Sequence, residues 1–450
     1  MAGTRLAVAY GAGVMEFELP PGMTADLAQP RSAPSVNVAA EAEAALRRPI
    51  AGPPLRELAR AGQKACIVFT DATRDVPDDV LVAALLRELH AAGLRREDVT
   101  LLCGVGMHRP STAEEKCAKL GPKIAEAYRV VDSKASSPAD LTYLGDHDGV
   151  PLWVSRIAAE ADLLLATGVV EPHQYAGYSG GRKTVAVGAG GEATIAATHS
   201  PRMIERPGVR LGNTQGNPFH LALTESARRA GLRFVVNVVK DGEGRVVAVA
   251  AGEPRETLAH LVNLAAPLYQ VSLAQTYDVI VAGVGHPKDA NLYQASRAVT
   301  YTYLAPRPVL KPGGVIIVPA PCGEGVGLGL GEQRFAEAMR FAPTPDGVAQ
   351  ALRDKVTLAG EQRAYLLARV LRECRAIFVG AGDPESVCAC HMTPCETMAQ
   401  ALSLAAEWTR READVLVVPH ALLTVLRGPE PIADVMAAVG YGQSETQAEE

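Results

Sequence analysis

Long apolar runs are missing from this 450-residue chain. No segment approaches the ~20 consecutive apolar residues of a membrane helix, and the N-terminal MAGTRLAVAYG lacks the apolar stretch of a secretory leader. The sequence therefore reads as a cytoplasmic protein with no membrane partner. Aromatic residues are scarce at 5%, so Ala, Val and Leu must fill an interior that the 48% hydrophobic content amply supplies. Charge of one sign is also lacking: the net charge is −6, with the two signs mixed along the chain, which argues against an electrostatic nucleic-acid binder. The eight cysteines are too scattered for a disulfide framework. One local group, Cys388, Cys390, His391 and Cys395, could bind metal. Its spacing misses the paired C-x2-C pattern of structural zinc sites, and reduced cysteines near a surface loop are the favoured reading.

Two alternations of strand and helix patterns are present instead. In the first, apolar runs at 65–70 (ACIVFT), 98–103 (DVTLLC), 128–131 and 162–167 alternate with helical patterns at 79–92 and 111–120. A possible strand at 152–155 precedes the run at 162–167. A helix at 219–230, a hairpin around Asp241-Gly242 and a helix at 256–269 follow. The second alternation has strands at 277–284, 314–319, 376–380 and 414–418, with helices at 291–304, 335–341, 347–354, 360–372 and 394–409. Ahead of both lie a hairpin over 5–19 and a Pro/Ala-rich wrapping segment over 20–60. Such alternation implies βαβ units. The expected fold is α/β: two α/β domains with mainly parallel sheets and an active-site cleft between them. The expected partition is 1–272, 273–413, and a final strand and tail over 414–450 that could return to the first domain. The polar end, 444–450, reads as disordered.

The informative feature is where the polar residues fall. Ligands of open parallel sheets bind outside the carboxyl ends of the strands. Strand 65–70 runs into Asp71 and Arg74, strand 98–103 into His108, and strand 162–167 into the glycine-rich stretch 171–191, which holds His173, Tyr178, Ser179, Gly180, Gly181 and Lys183. His199 follows in Thr-His-Ser-Pro. In the second half, strand 277–284 runs into Gly285-His286-Pro287-Lys288 and then Gln294 and Arg297. Each residue alone has a plain reading: a loop histidine is usually a surface residue, Asp71 can be a turn or cap residue, and the Arg182-Lys183 pair can be a simple anion site. Their joint occurrence at strand ends is harder to dismiss.

HQYAGYSGGRK at 173–183, Asp-Ala-Thr-Arg-x-x-Pro at 71–77, Gly-x-His at 106–108, THSP at 198–201 and PKDANLYQ at 287–294 together resemble the nickel-dependent lactate racemase family. The resemblance extends over most of the chain, from about residue 65 to about 420. It implies a nickel-pincer nucleotide cofactor, a pyridinium mononucleotide that holds nickel through one carbon and two sulfurs. On that resemblance Lys183 would anchor the cofactor covalently, His199 would ligate nickel, and His108 and His173 would be the acid/base pair. Arg74 would hold the substrate carboxylate with Asp71 beside it, and Gln294 and Arg297 would face the substrate. Dedicated cofactor-biosynthesis enzymes would be partners. The glycine loop over 177–181 (Tyr178, Ser179, Gly180, Gly181) is a candidate phosphate cradle on physical grounds.

Two departures bear on the substrate. Lactate racemases carry lysine where this chain has Arg297, which replaces a point donor with a planar fork. Their active-site tryptophan is absent from the matching region near 360–364, since Trp153 and Trp408 are the only two. The reaction implied is racemisation or epimerisation of a 2-hydroxy acid by reversible hydride transfer through a 2-keto acid. The alternatives are the same chemistry on a larger or dicarboxylic hydroxy acid, and a non-catalytic nickel or nucleotide binder. A zinc hydrolase built on His173 and His199 lacks an acidic ligand at suitable spacing.

Overall fold

The computed structural model describes residues 5–353 and 355–430; the expected polar tail at 444–450 lies outside them. Two six-stranded sheets organise the chain. In the first, Ala65–Thr70 is central, with Val99–Gly104 and Arg129–Asp132 on one side and Leu163–Val169 and Leu232–Lys240 on the other. All these neighbours are parallel, and only the edge strand Val246–Gly252 is antiparallel. Every residue of Ala65–Thr70 is buried. Sheets covered by helices on both faces require such continuous apolar strands. The second sheet is parallel throughout, in the order Thr393–Cys395, Arg375–Val379, Leu310–Pro319, Tyr277–Ala282, Asp414–Val418 and Thr24–Leu27. Among the described residues no helix is long and apolar enough to cross a membrane.

In each sheet the chain reverses its direction of travel beside the first central strand. Ala65–Thr70 is flanked by the next strand on one side and by Leu163–Val169 on the other. Tyr277–Ala282 is flanked in the same way by Leu310–Pro319 and Asp414–Val418. A crevice opens at the carboxyl ends of the strands where connections diverge, and the residues from 71, 170 and 283 onward enter those crevices.

Several expectations change. The strand expected to be last, Asp414–Val418, lies in the second sheet and does not return to the first; a further strand, Val425–Arg427, pairs with Gln270–Ser272. Thr24–Leu27, inside the expected wrapping segment, is that sheet's outer strand, and Val8, Phe17 and Met23 pack on the same sheet's face. Residues 6–27 thus belong with the second sheet. The following segment straps across to the first, where the Arg31 N–H donates to the Leu268 carbonyl and the Val36 N–H to the Val246 carbonyl. The stretch expected as one helix over 394–409 starts as edge strand Thr393–Cys395. Its helix, Met398–Trp408, begins after a Thr397–Gln400 capping box. Pro394 has no N–H to donate, which an edge strand tolerates. Residues 150–155 pair with Leu141–His147 as a separate antiparallel ribbon, because their alternating burial suits one covered face.

One buried carboxylate fixes the first switch point. Asp78, at the start of helix Asp78–Ala91, accepts from the Thr70 hydroxyl at 2.6 Å and the Thr167 hydroxyl at 2.5 Å. It also pairs with Lys119 at 2.8 Å. It therefore ties the two strands whose ends feed the crevice. Asp78→Ala leaves Lys119 and two hydroxyls without this acceptor, and breaking a buried pair costs about 3 kcal/mol. The expected outcome is a lower midpoint of chemical unfolding; an unchanged midpoint contradicts the clamp.

Candidate active-site cleft

A cavity of about 440 Å³ lies between the two sheets' carboxyl edges. Asp71, Arg74, His108, His173, Ser179, Gly180, Lys183, His199, Gln294 and Arg297 all line it. The first sheet contributes the histidines and Lys183; the second contributes Gln294 and Arg297.

The three histidines are wired differently. His108 Nδ1 lies 2.6 Å from Asp71 Oδ2, and Asp71 Oδ1 accepts from the Thr73 hydroxyl at 2.7 Å. Burial alone would raise the Asp71 carboxyl. The His108 hydrogen bond and the charges of His108 and Arg74 outweigh it, so the group is lowered and stays ionised. An ionised acceptor fixes the proton of neutral His108 on Nδ1 and leaves Nε2 as a base. His173 is the reverse. Its Nδ1 accepts from the backbone N–H groups of Tyr175 at 3.3 Å and Ala176 at 3.1 Å, so neutral His173 carries its proton on Nε2. Burial, then the charges of Lys183 and Arg297, hold His173 well below the usual imidazole range. His199 Nδ1 lies 2.9 Å from the Ile195 carbonyl, which fixes its proton there and, among the described residues, leaves the Nε2 lone pair without a hydrogen-bond partner. Burial and Lys183 push His199 down to about 3, so it is neutral near pH 7. Tyr175 and Phe219 meet the His199 ring edge-on, with centroids 5.6 and 4.9 Å away.

Cations crowd the opposite wall. Glu171 accepts ion pairs from Arg74 and Lys288, each at 3.7 Å. Burial would raise its carboxyl, but Lys288 and Arg74 lower it. Arg297 donates to Tyr301 Oη at 2.7 Å and to Gln294 Oε1 at 3.3 Å. Burial, assisted by Arg74 and Arg297, brings the Lys183 amine down to about 7. Lys183 closes a short helical turn after Gly180 and is followed by a π turn over Thr184–Gly188, a feature frequent at functional sites.

Two expected residues stay outside the cavity. Tyr178 is fully buried in an apolar cluster, and the Gly181 N–H donates to Asn237 Oδ1 at 2.9 Å. The glycines serve close packing: a Cβ on Gly177, which has φ +76°, would lie 2.1 Å from the Asn213 carbonyl oxygen. Ser179 lines the cavity, but its hydroxyl donates to the Val169 carbonyl at 2.7 Å. Arg182 is buried beside His220, at 2.8 Å. The cysteine cluster is no metal centre: Cys390 is buried, Cys388 is exposed and His391 Nε2 bonds the Met339 carbonyl. Among the described residues no group of three or more His, Cys, Asp or Glu could hold a metal ion.

Glu171, Lys288, Tyr301 and Arg363 line the cavity and were not singled out as site residues. The strand-end rule reaches Glu171 and Lys288, which follow Leu163–Val169 and Tyr277–Ala282. Arg363, on helix Glu361–Leu371, follows no strand and gives no such signal.

Family models for the lactate racemase N-terminal and C-terminal domains match residues 10–212 and 271–426. The chain belongs to the lactate racemase family. It is 30% identical over 428 residues to the lactate racemase of Thermoanaerobacterium thermosaccharolyticum, covering 94% of this chain and 99% of that one. With the lactate racemase of Lactiplantibacillus plantarum it shares 32% over 391 residues, 86% of this chain and 90% of the relative. Its fold matches the lactate racemase apoprotein structure from T. thermosaccharolyticum with a TM-score of 0.82 at 28% identity, over 94% of this chain and 100% of that chain. A Thermotoga maritima structure at 17% identity and TM-score 0.65, covering 87% of this chain and 97% of that one, shares the fold.

A lowered lysine pKa is chemically visible. An ordinary lysine gains nucleophilicity only near pH 10.4. Lys183 is half neutral near pH 7 and increasingly neutral above it. Acylation of Lys183 in apoprotein, followed by peptide mass, should rise with pH to half-maximum near 7; a midpoint near 10 contradicts the burial argument.

Proposed function

We propose that this member of the lactate racemase family is a nickel-pincer-nucleotide-dependent isomerase that racemises or epimerises a 2-hydroxy acid through the 2-keto acid. The observation that carries the reading is that Lys183, His199, His108 and His173 share one cavity in these protonation states.

The residues fit the group. The Lys183 amine is poised to be nucleophilic near neutral pH, as a covalent tether requires. His199 presents a neutral Nε2, with Nδ1 held by a carbonyl in the manner of metal-ligating histidines. No protein cage accompanies it, which suits a metal whose remaining donors come from an organic ligand. When bound, the nucleotide would supply the hydride acceptor and donor that no side chain can be.

The chain's own residues do the rest. Arg74 and Arg297 bind and orient the substrate carboxylate, with Gln294 beside them. His108 Nε2 takes the hydroxyl proton, and the Asp71 charge stabilises the resulting imidazolium. His173, with its proton on Nε2, would donate a hydrogen bond to the substrate oxygen, while His108 takes and returns the hydroxyl proton. The 2-keto acid so formed would be planar, held by its carboxylate on Arg74 and Arg297. Lactate is one substrate of this class; a larger or dicarboxylic hydroxy acid is the other, and Arg297 accommodates both. Loading requires partner enzymes that make the nucleotide.

Holoprotein incubated with single enantiomers in deuterated water should interconvert them while retaining protium at Cα. Deuterium at Cα contradicts internal hydride return. Lys183→Ala should lose the cofactor adduct by intact mass, and a retained adduct removes Lys183 from its role. Asp71→Asn should keep the adduct yet lower kcat by roughly 10²-fold or more, the range for general-base assistance.

A further inference from the structure

The cations of the cavity differ in what already holds them. Arg74 and Lys288 share Glu171. Arg297 is engaged by Gln294 and Tyr301, and Arg109 by Glu115. Lys183 is the proposed tether. Arg363 remains. Its guanidinium stacks over the Tyr293 ring, 4.2 Å from the centroid, and Tyr293 is itself braced edge-on by Phe335 at 5.5 Å. Among the described residues it has no ion-pair or side-chain hydrogen-bond partner, and its Nε is buried without an acceptor. A stacked guanidinium has lost its freedom to swing into solvent, and its fork matches a carboxylate.

Its place in the cavity is equally specific. Arg363 is among the charges that keep His199 neutral, and it acts on Tyr175, whose ring meets His199. Arg74 pairs with Glu171, and Arg297 bonds Gln294 and Tyr301. Arg363 also lines the cavity, and among the described residues it makes no ion pair.

We propose that Arg363 is a specificity-determining residue that binds a second carboxylate, so that the substrate is a 2-hydroxy dicarboxylate. This rests on the 2-hydroxy-acid reading of the same cavity. The first carboxylate lies on Arg74 and Arg297, and the far one forms a bidentate pair with Arg363.

Unreactive probes separate the recognition from the chemistry. Binding of succinate and of propionate to holoprotein is measured by calorimetry for the wild type, Arg363→Leu and Arg363→Lys. The wild type should prefer succinate by about 10-fold or more, the scale of one charge-assisted pair. Arg363→Leu should abolish the preference, and Arg363→Lys should restore part of it. An equal preference in wild type and Arg363→Leu overturns the proposal. So does loss of the nucleotide adduct or nickel from Arg363→Leu, because Arg363 would then hold the cofactor. The enantiomers of 2-hydroxysuccinate and of lactate, followed by chiral chromatography, report on the underlying reading. Interconversion of either without an Arg363-dependent succinate preference sinks this inference alone. An Arg363-dependent preference with no interconversion of any hydroxy acid sinks the reaction and leaves the recognition standing.

Discussion

The cleft depends on Glu171. Arg74, Lys183, Lys288 and Arg297 line one cavity, and each cation repels the others. Without a central carboxylate they would splay apart or lose protons. Glu171 is placed by the strand end that precedes it, and its N–H accepts no freedom either, since it donates to Ser179 Oγ at 3.2 Å. Its two ion pairs join residues that follow strands of different sheets, so one anion both neutralises the site and links its walls. At 3.7 Å neither pair is a tight fork. That looseness leaves Arg74 with donors for a substrate carboxylate, which an optimised bidentate pair would have consumed.

The same crowding sets the protonation states. A histidine that ligates metal must be neutral, and a lysine that attacks must be neutral. Burial pushes both groups that way, and the neighbouring cations push further. The Asp71–His108 pair stands apart, because its 2.6 Å contact holds His108 Nδ1 against a carboxylate that stays ionised. One cavity thus holds three imidazoles set apart by burial, neighbouring charges and hydrogen bonds.

Much of this arrangement was legible in the residues. Continuous apolar strands running into Asp71, His108 and His173 marked a parallel sheet and its ligand edge, because strand period and strand-end placement are local properties. The outer strand Thr24–Leu27 was not legible: its four residues are exposed and weakly apolar, and only the distant Asp414–Val418 makes them a strand. The glycine loop misled for a related reason. A glycine that admits a ligand and one that admits another part of the protein look alike in sequence; Gly177 admits the Asn213 backbone and Gly181 the side chains of Val235 and Asn237. Arg363 was invisible because its relevance comes from the Tyr293 ring beneath it and the lack of an anion beside it.

The unlike wiring of His108 and His173 raises a thermodynamic point. Enantiomers have equal free energies, so a racemase must have equal kcat/KM in both directions, however asymmetric its groups are. An asymmetric pair can then differ only in how binding and turnover divide that common ratio. On the proposed reading, the enantiomer whose hydroxyl met His108 would be deprotonated with help from Asp71. Its mirror image would meet the Nε2–H of His173, which can donate a hydrogen bond but has no lone pair for a proton. The second enantiomer should therefore bind more tightly and turn over more slowly. The asymmetry resides in backbone N–H groups of Tyr175 and Ala176, within the glycine-rich stretch itself. On the proposed reading, the tautomer this loop imposes on His173 would set which enantiomer stays longer in the site.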